Sequence, residues 1–244
     1  MNPKDVKTAP EPTLRRLPSY HHLLKRLELR GRAVVSCTHI AAELKLDPTQ
    51  VRKDLAVTGI IGKPKVGYEV PMLVEAIESF LGWNNVSEAF LVGAGSLGSA
   101  LLGYEGFKHY GLNIIAAFDT APAKIGTRIH GRQVLSVQKL PDLARRMHIL
   151  IGILTVPGEA AQAAADLMVS GGIKAIWNFA PAALNVPDDV IVENQELSAG
   201  LAVLSSKLSA ALHMHNIVGG VSDATDGADG GEVHTHGAEV RARV

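Results

Sequence analysis

Ala89-Phe-Leu-Val92 runs directly into Gly93-Ala-Gly95-Ser-Leu-Gly98, and that turn runs into the helical pattern Ser99-Ala-Leu-Leu102. A buried strand, a glycine-rich turn and a helix in immediate succession leave the chain few folds to choose from. In such a G-x-G-x-x-G turn the first glycine lets the backbone double back, the second lets a pyrophosphate approach, and the third lets the helix pack close to the strand. Helix amides and the positive end of the helix dipole then face the phosphates. Further apolar runs follow at Ile114 to Phe118, Ile149 to Leu154, Ile173 to Phe179 and Val190 to Val192. They lack the strict alternation of half-exposed strands. The pattern predicts a Rossmann-type parallel sheet covered on both faces by crossover helices.

Asp119 closes the second of these strands, 21 residues past Gly98. A carboxylate there accepts hydrogen bonds from an adenosine ribose and repels a 2′-phosphate, which favours NAD or NADH over the phosphorylated forms. The candidate nucleotide residues are therefore Gly93, Ala94, Gly95, Ser96, Leu97, Gly98 and Asp119, with Thr155, Val156, Pro157, Asn178 and Phe179 at later strand ends, where open parallel sheets hold ligands. Thr155 and Asn178 either face the nicotinamide half or cap their own loops. A dehydrogenase would also need a general acid or base and room for a second substrate. His109, His130 and His148 fall on predicted surfaces or a strand start, and no extended substrate domain follows the sheet. His213-x-His215 sits at a helix end and His234-x-His236 in a glycine-rich tail, so both read as solvated rather than as metal ligands. Neither an enzyme nor a metal site is expected.

The first third of the chain has another character. From Leu14 to Tyr68 eleven Lys and Arg stand against four acids, while the whole chain is neutral. A basic module joined to an acidic one suggests that only the first meets a polyanion. Ser36 is placed to cap a helix through Leu44, Lys45-Leu46 makes a turn, and Asp47-Pro48 supplies the N-cap and a preset first position of a second helix. On that helix Val51 and Leu55 face inward, leaving Thr49, Gln50, Arg52 and Lys53 for base edges and phosphates in a major groove. Gly59 to Val70 then reads as a hairpin whose Lys63 and Lys65 share one face, a wing suited to gripping phosphates. Arg15 and Arg16 open the helix upstream, where they add backbone contacts or simply solvation.

The expected organisation is a flexible N-terminus (1–12), a winged-helix DNA-binding domain (13–82), a Rossmann NAD(H)-binding domain (83–195), a C-terminal dimerisation helix (196–217) and a disordered tail (218–244). The last helix carries Leu197, Leu201, Leu204, Leu208 and Leu212 on one stripe, which needs either the chain's own sheet or a symmetry mate. The N-terminus lacks a signal-peptide core and no apolar run reaches the roughly 18 residues of a membrane span, so the cytoplasm is the expected location. Cys37, the single cysteine, excludes an intramolecular disulfide and reads as a packing residue.

Taken in order, Arg16-Leu17-Pro18-x-Tyr20, Val51-Arg52-Lys53-Asp54-Leu55, Gly59-x-x-Gly62-Lys63, Val66-Gly67-Tyr68, the glycine turn, Ala116-Ala-Phe-Asp119, Thr155-Val-Pro157 and Asn178-Phe-Ala-Pro181 resemble the Rex family of repressors over roughly residues 13–212. The resemblance implies a homodimer, a C-terminal helix swapped against the partner near the nicotinamide, and release from palindromic operator DNA by NADH, with NAD competing weakly or favouring DNA. It also implies a switch contact between Tyr104 and Glu196 of the partner subunit, with Leu197 beside the nicotinamide. Three positions depart from the family pattern: Ser96 stands where Asn is common, Ala56 where Ser is common, and Glu196 where Asp is common.

Overall fold

The computed structural model describes residues 9–219, so the segment 1–8 and the tail from 220 onward, where a flexible start and a disordered end were expected, lie outside the described residues. The first helix, α1 (Glu11–Leu29), opens on prolines and buries Leu17, Tyr20, Leu23, Leu24 and Leu27 along one stripe. It leads through the two-residue strand β1 (Val34–Val35) into α2 (Cys37–Leu44). Ser36 caps α2 by accepting the His39 amide at 3.1 Å, and Lys45 closes it in a left-handed conformation, φ 55°. Asp47 then caps α3 (Pro48–Ala56) by accepting the amides of Thr49 and Gln50 at 2.8 and 3.0 Å. Strand β2 (Tyr68–Glu69) returns antiparallel to β1, and α4 (Val70–Leu81) packs along α1. Leu17, Tyr20, Leu24, Ile40, Val51, Leu55, Leu73 and Ile77 are all fully buried in one cluster, so α1 to α4 share a single small core.

Gly82 ends α4 at φ 70° and a short link reaches β3 (Ser87–Val92). The order is then α5 (Ser96–Gly103), a 3-10 turn at Glu105–Tyr110, β4 (Leu112–Asp119), β5 (Arg128–Ile129), β6 (Arg132–Ser136), α6 (Leu140–Met147), β7 (Ile151–Leu154), α7 (Gly158–Ser170), β8 (Ala175–Asn178) and β9 (Ile191–Asn194). Seven strands form one sheet in the order β5-β6-β4-β3-β7-β8-β9, parallel throughout except for the β5–β6 hairpin. The parity of β3 shows why its sequence reads as an unbroken apolar run. Phe90 and Val92 join the core containing Phe118, Leu140, Leu154 and Met168, while Ala89 and Leu91 join the opposite core with Leu102, Ala117, Val134 and Ile153.

The chain moves outward from β3 through β4 to β6, then returns to the other side of β3 as β7. That reversal opens a crevice beyond the carboxyl ends of β3 and β7, where open parallel sheets take their ligands. Helix α8 (Leu197–Gly219) belongs to a second unit beginning at Glu196. Leu201, Leu204, Leu208 and Leu212 on it are each more than half exposed. Among the described residues no helix is long and apolar enough to cross a membrane.

Candidate functional site

Two sites take shape, one on α2 and α3 and one at the crevice. On α3, Val51 and Leu55 are buried, while Thr49, Arg52 and Lys53 are exposed as expected. Gln50 is half-buried, with its side-chain amide donating to Asp54 at 2.9 Å. The wing is a tight turn in which the Lys63 amide donates to the Gly67 carbonyl at 2.7 Å and the Gly67 amide returns the bond at 2.9 Å. Gly67 sits at φ 102°, and a side chain there would collide with the Val35 carbonyl oxygen, so the turn is seated directly on β1. Lys63 pairs with Glu69 at 2.5 Å, and Lys65 is exposed at φ 62°. Between the wing, Arg52 and the first turn of α2 lies a cleft of about 380 Å³.

Sequence reasoning missed the residue that organises this face. Asp54 has no solvent exposure and accepts hydrogen bonds from Thr13 at 2.9 Å, Tyr20 at 2.6 Å, Gln50 at 2.9 Å and both ends of the Arg16 fork at 2.6 and 2.8 Å. Burial pushes its carboxyl upward, and the bonds from Arg16, Tyr20, Gln50 and Thr13 together outweigh that and hold it at about 2. The same pair raises the Arg16 guanidinium. The planar fork of Arg16 is spent on Asp54, which makes Arg16 a structural clamp. Arg15 is exposed. It pairs with Glu11 at 2.7 Å and with Glu193 of β9 at 3.0 Å, and so ties α1 to the edge of the sheet. The signal was present: Asp54 lies on the same helical face as Val51 and Leu55, and a carboxylate at a core position needs donors.

At the crevice, Gly93 turns at φ 101° and donates its amide to Phe118 at 2.8 Å. Helix α5 begins at Ser96, one turn earlier than the sequence pattern suggested, and no side chain caps it. The amides of Ser96, Leu97 and Gly98 thus open the helix without intrahelical acceptors. The glycines divide their roles. A side chain on Gly98 would collide with the Gly93 carbonyl oxygen and come within 2.8 Å of Thr155 Oγ1, whereas one on Gly95 would meet nothing. The third glycine is required by packing, and the second faces open space. Asp119 accepts the Ala94 amide at 2.9 Å, the Ala121 amide at 2.8 Å and Lys124 Nζ at 3.0 Å. Burial opposes ionisation here too, but the Ala121 amide, Lys124 and the Ala94 amide bring the carboxyl below its ordinary value. Lys124 went unnoticed in the sequence.

Thr155 and Asn178 take the second of their two readings. The Thr155 hydroxyl lies under the glycine turn, within bonding distance of the carbonyls of Gly93 (2.8 Å) and Val92 (3.1 Å). The Asn178 side chain is 1 % exposed. It donates to Ala182 O at 2.9 Å and Asn194 Oδ1 at 2.8 Å and accepts the Ala180 amide at 2.9 Å. Both shape loops from within, so their side chains are not aimed at a nicotinamide. Val156 packs against Gly93, Pro157 is the exposed cap of α7, and Phe179 is half-buried. Phe179 ends an aromatic row: Tyr104 to Phe107 at 4.9 Å, Phe107 to Trp177 at 5.6 Å, and Trp177 to Phe179 at 4.8 Å. Tyr104 and Glu196 are both exposed, and the Leu197 side chain lies outside those described.

The model "CoA binding domain" matches residues 84–182 and "Putative DNA-binding protein N-terminus" matches residues 8–56. The redox-sensing transcriptional repressor Rex of Treponema denticola is 52% identical over 81% of this chain and 94% of its own, and that of Bacteroides thetaiotaomicron is 47% identical over 84% and 93%. Among solved structures, RSP, a Rex-family repressor, superposes in its complex with NAD+ and operator DNA with a TM-score of 0.80 at 35% identity, covering 87% of this chain and 98% of that one. Its complex with NADH gives 0.78 at 34%, covering 86% and 99%.

Proposed function

The chain belongs to the Rex family of redox-sensing transcriptional repressors, and on that premise we propose how its own residues divide the work. It is a DNA-binding repressor and not an enzyme, with NADH and NAD+ as regulatory ligands. Thr49, Gln50, Arg52 and Lys53 of α3 enter a major groove, while Lys63 and Lys65 on the wing grip the adjoining backbone. Arg16 serves that surface indirectly, by holding Asp54 and through it Gln50. The open face of Gly95 at an uncapped helix start carries the nucleotide reading, because it is the place in the turn where a side chain would fill space and nothing of the protein does.

The residues present fit a dinucleotide. The amides from Gly95 to Gly98 receive the pyrophosphate. Asp119 keeps lone pairs for a ribose beyond its three internal donors. The backbone of Thr155 to Pro157, with Phe179, walls the nicotinamide end. Oxidised NAD+ carries a positive ring charge, which an apolar wall at Phe179 disfavours. That difference biases the dimer between one state spaced for two half-sites and one that is not. A complete shift, from about 1:99 to 99:1, takes about 5.5 kcal/mol of differential affinity.

The two states exchange the pairing of Tyr104 with Glu196 of the partner subunit, and α8 is swapped between protomers. Residues 13–82 bind DNA, 83–195 bind nucleotide and 196–217 dimerise. The working compartment is the cytoplasm, where DNA and nucleotide meet. Fluorescence anisotropy on a palindromic A·T-rich duplex, titrated separately with NADH and NAD+ at fixed salt, tests this. Release is expected with NADH at concentrations where NAD+ is ineffective, and DNA binding indifferent to both nucleotides would overturn it.

A further inference from the structure

The C-terminal end of α1 meets α2 in a groove of about 370 Å³ that includes Arg26, Arg30, Arg32, His39 and Glu43 in its lining. Arg26 and Arg30 are exposed and lie one turn apart, where like charges repel. Neither has an acidic partner among the described residues, in contrast to Lys25, which pairs with Glu28 at 2.7 Å. Arg32 is held in place, its Nε donating to the Val34 carbonyl at 3.2 Å and its Nη1 standing 3.5 Å from His39 Nε2. The end of the helix dipole favours cations at Arg26 and Arg30. It does not account for Arg32 and His39, which lie beyond the helix and converge on the same groove.

The groove and the DNA face adjoin along the chain, at the first turn of α2. Val35 of β1 pairs with Tyr68, and the wing turn is seated on its carbonyl. The first turn of α2 is a shared wall: Ser36, Cys37 and Thr38 line the cleft with Arg52 and the wing, and His39 lines the groove with the arginines. Cations thus line both cavities that meet the first turn of α2, Arg52, Lys63 and Lys65 in one and Arg26, Arg30 and Arg32 in the other, and guanidinium forks match phosphate oxygens.

We propose that this groove grips DNA phosphates flanking the operator, outside the base pairs that α3 reads. The assignment rests on the operator-binding reading above. The groove lengthens the DNA footprint without adding sequence information, because phosphate contacts position and carry no base code.

The test begins with an operator selected by the full-length chain from a random duplex pool. Binding is measured across salt on the selected base pairs alone and on the same site with about ten base pairs added at each end. Each groove holding two phosphates adds about 1.8 to the slope of log K against log salt, a roughly 12-fold greater loss of affinity between 50 and 200 mM. The R26A/R30A variant is expected to lose that increment on the long duplex, to match the parent on the short one, and to regain it as R26K/R30K. Equal slopes for the parent on both duplexes, or an increment that survives R26A/R30A, would overturn the proposal. A selection that returns no operator defeats the operator reading itself, so the two failures are distinct.

Discussion

Replacing Asp54 by alanine strands Arg16, Tyr20, Thr13 and Gln50 at once, because all four donate to its carboxylate. Removing one partner of a buried charged pair costs roughly 3–5 kcal/mol. D54A is expected to lower the free energy of unfolding by about that much in a denaturant titration, a loss far larger than an exposed ion pair such as Arg15 with Glu193 can cause. The carboxyl stands at about 2 in the folded protein against 3.8 for an ordinary aspartate. Its contribution is therefore fully present above about pH 4 and is lost as pH falls from there to about 2, an amount of about 2 kcal/mol. D54N abolishes this titration, so stability plotted against pH should fall less steeply over that window than in the parent. Equal slopes would show that the carboxylate is not held as the geometry says. Gly95 gives a second prediction of opposite kind. Its missing side chain points into open space, so G95V should leave the free energy of unfolding within about 0.5 kcal/mol of the parent while blocking the pyrophosphate. A calorimetric titration that still shows NADH binding would remove Gly95 from the cradle.

At the scale of elements, α3 is anchored by Asp47, whose carboxylate accepts two of the free amides at the helix start. D47A should cost about 1 kcal/mol of stability. It should also weaken operator binding measured by anisotropy, because the frayed turn carries Thr49 and Gln50. Unchanged affinity would mean that this turn does not meet the DNA. This element was legible in the sequence because its start signals are local: a capping Asp, Pro at the first position, and a core pair one turn apart. The strands β3, β4, β7 and β8 were legible because burial on both faces makes them continuous apolar runs. The hairpin β5–β6 was not, since Arg128 to Ser136 is polar and short and is held at the sheet edge by β4 rather than by its own pattern. The strand-end side chains stayed open between two readings for a related reason. Position on a strand end says that Thr155 and Asn178 are near the crevice, but only the neighbouring loops decide that their polar atoms turn inward. Asp54 was missed because Thr13, Arg16 and Tyr20 reach it from α1, as far as 41 residues away, and Lys124 because it lies in the loop after β4 with no pattern of its own.

For the molecule as a whole, the decisive surface is α8. Leu201, Leu204, Leu208 and Leu212 recur at steps of three and four residues, and each is more than half exposed. A leucine stripe of that length is stable only when covered, and a second copy of the chain is the cover that would also place two recognition helices for a palindrome. L204E/L208E sets two charges on the stripe and should leave a folded monomer, seen by sedimentation equilibrium, with the circular dichroism of residues 9–195 retained. The consequence for DNA separates dimerisation from folding. Joining two half-sites in one dimer raises affinity for the full operator through effective concentration alone, by roughly 10²-fold or more. The variant should lose that advantage on a palindrome while binding a single half-site as the parent protomer does. If the variant remains dimeric, the stripe is covered by something other than a partner's surface; if it is monomeric yet keeps full affinity for the palindrome, operator recognition does not depend on the dimer.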